Sequence, residues 1–438
     1  MSKVSTVAPA STTTSLWHGP MRRVLLSSFS GSVIEFYDFV LYVIAAAVVF
    51  PTVFFSNLDA TLATVASFVT LAVGYVARPI GGVLFGHFGD RLGRKGVLVT
   101  TMLIMGVSTM AIGFLPPTAA VGAWAPILLV VCRVVQGLAV GGEWGGAMLI
   151  ALEHAPGAKR GFAASFANLG APAGAIFATG AISLASLLPE QQFMTWGWRI
   201  PFLLSAVLVL VGLFIRLKVS ESPLVKKLDQ EAARRRVPIV EVFRRYPLQI
   251  LLGIVVAISQ LTIDGIATSW AVNHSVQLGA DRTLVLNLKI LASVALFVMA
   301  VISARMSDRV GRRPMLIGGI VAGVIWVFPM LLLIQTGTVG GFAAAVIVGQ
   351  AIQGTILGPL AAFLAELFPT ELRFTGSSVC FQTAATLGSG FTPLIATSLV
   401  AATGGIVLLG SVWVGVLVIS LVAVIIAKEG RKRDLSAI

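Results

Sequence analysis

The sequence predicts an all-α membrane protein in which twelve transmembrane helices form two pseudo-symmetric six-helix bundles. Three observations support this prediction: an apolar composition, twelve apolar segments of spanning length and an internal repeat. Hydrophobic residues make up 57% of the chain and charged residues 11%, whereas soluble domains contain about 45–50% and about 25%. Lipid is therefore expected to surround most of the protein.

Apolar segments long enough to cross a bilayer, which takes about 20 residues, recur along the whole chain. Unsatisfied backbone groups are too costly in hydrocarbon, so each segment is expected to be helical. The segments are also too long for the strands of a membrane barrel. The predicted spans are residues 24–55, 62–86, 96–115, 125–152, 160–187, 198–217, 248–272, 284–304, 314–334, 340–366, 374–400 and 405–427.

A basic ten-residue segment occurs twice, with a shift of about half of the chain. Residues 86–95 read GHFGDRLGRK and residues 304–313 read ARMSDRVGRR. A second match has nearly the same shift, because Glu153, Pro156 and Arg160 recur as Glu366, Pro369 and Arg373. Two independent matches indicate duplicated halves. In a membrane protein, such halves favour a transporter whose substrate site lies at the interface between the repeats.

Lysine and arginine residues are concentrated in the predicted connections on one side of the membrane. Most of the 31 basic residues fall in the even-numbered connections and the two tails, and Arg216 opens a basic stretch that continues to Arg245. Cytoplasmic loops carry the excess of Lys and Arg, so both termini are predicted to be cytoplasmic. The net charge of +13 thereby reflects topology, and its spread over many segments argues against a nucleic-acid partner.

The predicted domain organisation follows from the spans and the charges. It comprises a disordered cytoplasmic tail over residues 1–20, an N-terminal six-helix bundle over 21–218, a cytoplasmic linker over 219–247, a C-terminal six-helix bundle over 248–427 and a cytoplasmic tail over 428–438.

The sequence gives no support for an enzyme or a metalloprotein. It contains no Gly-x-x-x-x-Gly-Lys-Ser/Thr phosphate loop and no recognisable nucleophile with its base. The four histidines are dispersed, and Cys132 and Cys380 both fall in predicted helices, which disfavours a metal site or a disulfide. We expect no cofactor, and we expect a monomer whose partners are a small-molecule substrate, protons and membrane lipid.

The repeated basic segment is expected to latch the two halves on the cytoplasmic side. It lies between the second and third helix of each half, where its glycines permit a tight turn and its acid can pair with nearby basic groups and helix ends. Topological positive charge alone would explain the Lys and Arg but not the fixed Asp and Gly spacing. The predicted cytoplasmic gate comprises Asp90, Arg91, Arg94, Glu153, Asp308, Arg309, Arg312 and Glu366.

Several charged residues fall inside predicted spans, where ionisable groups are costly and usually functional. Glu35 and Asp38 are three residues apart and share a helical face. Two such carboxyl groups cannot both ionise cheaply in a low dielectric, so one is expected to hold a proton near neutral pH. We predict that Arg133 pairs with deprotonated Asp38 and is released on protonation; the alternative is a static salt bridge that fixes helix packing. The predicted proton-coupling residues are Glu35, Asp38, Arg133 and Glu143.

The central charges do not repeat, because Gln350 stands opposite Arg133 when the halves are aligned. Proton chemistry is therefore expected in the N-terminal half, while the C-terminal half offers hydrogen-bonding groups to a substrate. Lys289 is expected either to pair with Asp264 or to receive a substrate carboxylate. The predicted substrate-binding residues are Arg78, Arg133, Gln136, Gln260, Asp264, Lys289 and Gln353.

The chain resembles a known family in several short segments. The repeated loop is similar to the signature of the major facilitator superfamily, and further segments resemble its metabolite:proton symporters, most closely the bacterial shikimate transporter branch. Phe36 stands where that branch more usually has Trp. The segments are IEFYDF at 34–39, ARPIGG at 77–82, RVVQG at 133–137, GGEWGG at 141–146 and WGWRIPF at 196–202.

The resemblance implies proton-driven import of a small metabolite across a bacterial inner membrane. Our leading expectation is a symporter of a small organic acid, a cyclic carboxylate similar to shikimate. The alternatives are a symporter of a dicarboxylate such as 2-oxoglutarate or citrate, a symporter of a zwitterion such as proline or betaine and, more distantly, a proton-driven exporter. A receptor or scaffold without transport is disfavoured, because it would gain nothing from buried charge.

Overall fold

A computed structural model describes residues 19–92, 94–217, 238–280 and 282–430. In this part of the chain twelve helices are long and apolar enough to cross a membrane, which confirms the predicted number. We number them α1 to α12: Gly19–Val48, Ala60–Leu92, Arg94–Phe114, Trp124–His154, Arg160–Ala185, Arg199–Leu217, Pro247–Gln277, Arg282–Val310, Arg312–Gln335, Val339–Glu366, Arg373–Thr403 and Val407–Ile426.

The two halves pack by the same scheme. In the first half the main helix pairs are α1 with α5, α2 with α4, and α3 with both α4 and α6. In the second half they are α7 with α11, α8 with α10, and α9 with both α10 and α12. Each pair maps onto its counterpart when six is added to the helix number. The two pseudo-symmetric bundles predicted from the repeat are thereby confirmed.

The halves meet through α2 with α11, and through α5 with both α8 and α10. The side of the protein on which α1 begins, and on which the α2–α3 and α8–α9 turns lie, is called the basic side below; the sequence predicts it to be cytoplasmic. At this side the backbones come close, since a Cβ placed on Gly86 would lie 2.8 Å from Cα of Thr375. Glycine is therefore required where α2 crosses α11.

Small residues also bring α4 against α2. A Cβ on Gly137 would collide with the carbonyl of Gly74, and one on Gly141 with the carbonyl of Arg78. Such glycines permit close approach of helix backbones in membranes. Because Arg78 lies on α2 and Arg133 lies on α4, this close approach also sets the distance between two of the predicted site residues.

Two helices change to π-helical geometry midway along their length. The π-helical segments are Gly265–Trp270 in α7 and Thr386–Gly390 in α11, and they contact one another. Single π-turns inside α-helices occur frequently at functional sites. These π-helical segments were not predicted from the sequence.

The predicted linker contains one described helix, Pro238–Arg245, which contacts α2, α7 and α11 and buries Val242 completely. Residue 218 and residues 219–237 of the predicted linker lie outside the described residues, as do residues 1–18 of the predicted N-terminal tail and residues 431–438 of the C-terminal tail.

Candidate functional site

Asp38 lies at the centre of a buried hydrogen-bond network in the first half. Its side chain is 3% exposed. Its Oδ1 accepts a hydrogen bond from Ser205 of α6 at 2.7 Å, and its Oδ2 accepts one from Thr109 of α3 at 2.8 Å. The carboxyl group is therefore held by two hydroxyl groups from two other helices, and it does not face lipid.

Arg133 reaches Asp38 through two intermediate side chains. Arg133 Nη1 donates to Gln136 Oε1 at 3.3 Å, Gln136 Nε2 donates to Thr109 Oγ1 at 2.7 Å, and Thr109 donates to Asp38. The predicted direct ion pair between Arg133 and Asp38 is absent from the described residues. The sequence placed both groups at a similar height, but it could not show that an amide and a hydroxyl fill the space between them.

Arg78 and Arg133 both lie close to one aromatic ring, that of Phe39. The guanidinium carbon of Arg78 is 4.8 Å from the ring centre of Phe39 and 4.4 Å from that of Tyr75. The guanidinium carbon of Arg133 is 5.6 Å from Phe39 and 4.1 Å from Tyr42. Such cation–π contacts hold a guanidinium group without neutralising it. We call these two residues the arginine pair.

Neither member of the arginine pair forms an ion pair within the described part of the chain. Arg133 is 4% exposed, and its Nε and Nη2 atoms are buried without a hydrogen-bond partner. A buried charged donor that lacks a partner is unfavourable by several kcal/mol in general. Two buried cations, of which Arg133 has free donors, form a site that suits an anionic ligand.

The second half presents a chain of hydrogen-bonded amides and one acid. Gln350 Nε2 donates to Gln353 Oε1 at 2.7 Å, and Gln353 Nε2 donates to Gln260 Oε1 at 3.0 Å. Asp264 accepts from Gln353 at 3.4 Å and from Ser389, in the π-helical segment of α11, at 3.0 Å. The structure therefore brings together Gln260, Gln353 and Asp264, three of the predicted substrate-binding residues, and it adds Gln350 and Ser389.

Tyr75 connects the two halves at the centre. Its ring lies under Arg78, its carbonyl accepts a hydrogen bond from Thr386 of α11 at 2.8 Å, and Asp264 and both members of the arginine pair act on it electrostatically. Lys289 interacts with Asp264 electrostatically without a direct ion pair among the described residues. The suggested Asp264–Lys289 pairing is therefore not formed in this structure.

Glu143 pairs with Arg216, whose guanidinium group also donates to the Leu98 carbonyl at 2.6 Å. Arg216 is 2% exposed, although the sequence groups it with the basic residues of the connection between the halves. It stands at the end of an apolar span, where the sequence cannot tell a loop charge from a buried one. Glu35 is also buried and interacts electrostatically with Glu143 and Arg216. Glu35 and Asp38, though on one helical face, thus belong to separate groups of contacts.

On the basic side, Asp308 joins the second half to the start of α5. Its carboxylate accepts hydrogen bonds from the backbone N–H groups of Gly161 at 2.8 Å and Phe162 at 2.9 Å, and it pairs with Arg312 at 2.9 Å. The carboxylate meets the positive end of the helix dipole there. This contact accords with the predicted latch.

Two further ion pairs support the closure of the basic side. Arg373 pairs with Glu153 across the halves at 3.3 Å, and Arg312 pairs with Glu366 at 3.2 Å. Arg309 is exposed and forms none of these ion pairs. The side chains of Asp90, Arg91 and Arg94 lie outside the described residues, so their place in the gate stays a prediction.

Sequence reasoning missed two residues of this closure. In the sequence, Arg373 stands out only as the repeat of Arg160, although the same repeat could have placed Arg373 in the predicted gate. Glu429, just after α12, accepts hydrogen bonds from the backbone N–H groups of Arg312 at 3.2 Å and Arg313 at 3.0 Å. No repeated motif indicated Glu429, because it lies in a segment that had been assigned to the tail.

An aromatic stack also crosses the interface. The rings of Trp144 in α4 and Phe381 in α11 lie parallel, with 3.8 Å between their centres. Trp144 Nε1 donates to Asn168 at 2.7 Å, and the amide of Asn168 donates to the Leu357 carbonyl of the second half at 3.2 Å. The orientation of Trp144 is thus fixed by contacts with both halves.

Replacing Asp308 with asparagine is expected to open the basic side more often. Hydrogen bonds to charged groups contribute about 1.5–3 kcal/mol, and about 1.4 kcal/mol corresponds to a tenfold change. Ser378 is fully buried near Gly145 at the interface. The test uses a chain that lacks Cys132 and Cys380 and carries S378C as its single cysteine. We expect D308N to make alkylation of this cysteine from the basic side about tenfold faster.

The matched control for this experiment is E190Q, which removes one acidic charge from an exposed position on the other side of the protein. An unchanged alkylation rate in D308N, or an equal increase in E190Q, would contradict a latch at Asp308.

Two helix bundles that share one packing scheme and are closed on one side around a buried polar centre define a membrane transporter. The family model of the Major Facilitator Superfamily matches residues 28–393. The chain belongs to this family, and the comparisons give no support for an enzyme.

Among the curated relatives, an inner membrane metabolite transport protein, YhjE of Escherichia coli K12, is 41% identical over 383 residues, which are 85% of this chain and 87% of that protein. The shikimate transporter of the same organism is 40% identical and covers 86% of this chain and 88% of its own length. The proline/betaine transporter of Escherichia coli K12 is 32% identical over 95% of this chain and 85% of its own.

Among solved structures, the proton:xylose symporter XylE bound to 6-bromo-6-deoxy-D-glucose superposes with a TM-score of 0.79. The match covers 95% of this chain and 98% of that chain at 18% sequence identity. At this level of identity the likeness supports the fold.

Proposed function

We propose that the protein imports a small organic acid together with protons across a bacterial inner membrane by alternating access. The basic side and both termini then face the cytoplasm, as the excess of Lys and Arg on that side favours. The substrate that we propose is a cyclic carboxylate similar to shikimate, and a single chain is the functional unit.

The arginine pair is the observation that carries this proposal. Arg133 has two buried donor atoms without partners, and the guanidinium group of Arg78 lies over the rings of Phe39 and Tyr75. Guanidinium groups bind carboxylates through paired, charge-assisted hydrogen bonds. A carboxylate placed beside Phe39 would therefore satisfy donors that have no other partner among the described residues.

The surroundings of the arginine pair suit a ring that carries hydroxyl groups. Phe39 and Tyr75 offer apolar faces, while Gln260, Gln350 and Gln353 offer amide donors and acceptors from the second half. The proton would act through Asp38. Because Asp38, Thr109, Gln136 and Arg133 are linked by hydrogen bonds, a proton on Asp38 changes the charge balance that Arg133 experiences.

A zwitterion is the second candidate, and Asp264 is the observation that favours it. Asp264 is held by Ser389 and Gln353 and acts electrostatically on Tyr75 next to the arginine pair. A substrate could therefore place its carboxylate on the arginine pair and its cationic nitrogen toward Asp264. A dicarboxylate would instead use Lys289 for its second carboxylate.

Uptake of labelled shikimate, 2-oxoglutarate and proline into cells that lack their own transporters tests these possibilities. We expect shikimate uptake that a protonophore abolishes, and no uptake of proline. If the wild-type protein takes up proline and D264N abolishes this uptake, the substrate is a zwitterion instead. Uptake of any probe that a protonophore leaves unchanged would refute proton coupling.

A further inference from the structure

Ser28, Gly31, Glu35 and Asp38 lie on one face of α1. This face is turned toward the interior of the first half, on the basic side of the arginine pair. Ser28 Oγ donates to the Ala147 carbonyl of α4 at 2.8 Å, and a Cβ on Gly31 would collide with the guanidinium group of Arg216 and lie 3.0 Å from Glu143 Oε1. Glu35 is four residues after Gly31, and Asp38 is three residues further. At the spacings of an α-helix these residues share one face, so Glu35 points toward Glu143 and Arg216.

The group of Glu35, Glu143 and Arg216 contains two carboxyl groups and one ion-paired cation. All three side chains are buried: Glu35 is 6%, Glu143 1% and Arg216 2% exposed. Arg216 binds Oε1 of Glu143, while Oε2 of Glu143 is buried without a hydrogen-bond partner. Two ionised carboxylates beside one guanidinium group would leave a net negative charge in a low dielectric, which is strongly unfavourable.

The other charged groups that face this site do not remove the imbalance. Arg78 of α2 acts on Glu35 electrostatically without forming an ion pair among the described residues, and its guanidinium group lies over Phe39 and Tyr75 beside the proposed substrate site. Asp38 interacts with Glu143 and adds negative charge. Lys95 of α3 is at the surface, where its amine donates to the Leu217 carbonyl at 2.9 Å. The α5 sequence, which packs on α1, contributes no ionisable side chain beyond Arg160 at its first position.

We propose that Glu35, Glu143 and Arg216 form a second proton site, in which the two carboxyl groups share one proton beside a permanently charged Arg216. The site is distinct from Asp38, which is bound by Ser205 and Thr109, and it lies about one helical turn closer to the basic side, since three residues rise about 4.5 Å. A proton that leaves Asp38 toward the basic side reaches this group next. Arg216 is a positioning residue that keeps one carboxyl group ionised.

The charge balance predicts how each residue of the site responds to neutralisation. With E35Q, Glu143 remains paired with Arg216 and stays ionised, so the proton is lost. With E143Q, Arg216 is free to pair with Glu35, and the proton is again lost. With R216Q the cation is gone, so both carboxyl groups become protonated. A purely structural Glu143–Arg216 ion pair beside an ionised Glu35 predicts no proton in the wild type, in E35Q or in E143Q.

Infrared difference spectroscopy of the purified full-length protein, without substrate, tests this proposal. We expect the wild type to show a carboxylic acid band that shifts in heavy water, that both E35Q and E143Q abolish, and that R216Q strengthens. D38N, three residues from Glu35 on the same helix, is the matched control and must leave this band in place. Thermal unfolding of each variant establishes that it is folded.

The proposal is overturned if the band survives in either E35Q or E143Q, if it disappears in D38N, or if R216Q weakens it. Should R216Q fail to fold, E35Q and E143Q alone decide the outcome. The proposal adds to the proton coupling suggested above, but the measurement uses no substrate. A wrong substrate assignment would therefore leave this test unaffected.

Discussion

Replacing Arg133 with glutamine is expected to weaken substrate binding by about 10- to 150-fold and to bring uptake close to background. Charge-assisted hydrogen bonds contribute about 1.5–3 kcal/mol, and each 1.4 kcal/mol corresponds to a factor of ten. R133Q removes one cation of the arginine pair, and it also removes the donor to Gln136. Uptake of labelled shikimate over a range of concentrations measures the loss.

Two further variants sharpen this prediction. R133K keeps the charge but cannot bind a carboxylate with a planar pair of donors, so we expect only partial recovery. R245Q removes a cation whose side chain is 69% exposed, and it should transport normally. Wild-type affinity in R133Q would refute the assignment of the arginine pair as the substrate site.

Replacing Asp38 with asparagine is expected to abolish uptake driven by a pH gradient while exchange of substrate across the membrane continues. Asparagine has nearly the same shape and can keep an acceptor for Thr109 or Ser205, but it cannot take up and release a proton. Proteoliposomes loaded with unlabelled shikimate measure exchange, and empty ones with an imposed gradient measure driven uptake.

The matched control for D38N is D59N, which changes an exposed aspartate and should leave both activities intact. If D38N instead lowers expression and abolishes exchange as well, Asp38 has a packing role, and the proton-coupling assignment fails.

The helices could be predicted because each needs only an apolar segment of sufficient length, and the two bundles could be predicted because the Asp90 and Asp308 loops repeat. The connection between Arg133 and Asp38 could not be predicted in full. Thr109 and Gln136 complete it, yet hydroxyl and amide side chains also occur in transmembrane helices for packing alone. Their role depends on which way α3 and α4 face, and this is set by tertiary contacts.

The burial of Arg216 also could not be predicted from the sequence. Lys and Arg at the end of an apolar segment usually mark the membrane boundary, so the sequence favoured a loop charge. The structure instead turns Arg216 inward, because Glu143 and the carbonyl of Leu98 bind its guanidinium group and Gly31 leaves room for it. Only the packing of three helices distinguishes these two possibilities.

The parallel stacking of Trp144 on Phe381 makes this indole a built-in optical probe. Separation of the two bundles where Trp144 meets Phe381 must pull the two rings apart and let water reach the indole. In a variant whose other seven tryptophans are replaced, of the eight in the chain, fluorescence emission would then report the conformational cycle in real time, even before a substrate is identified.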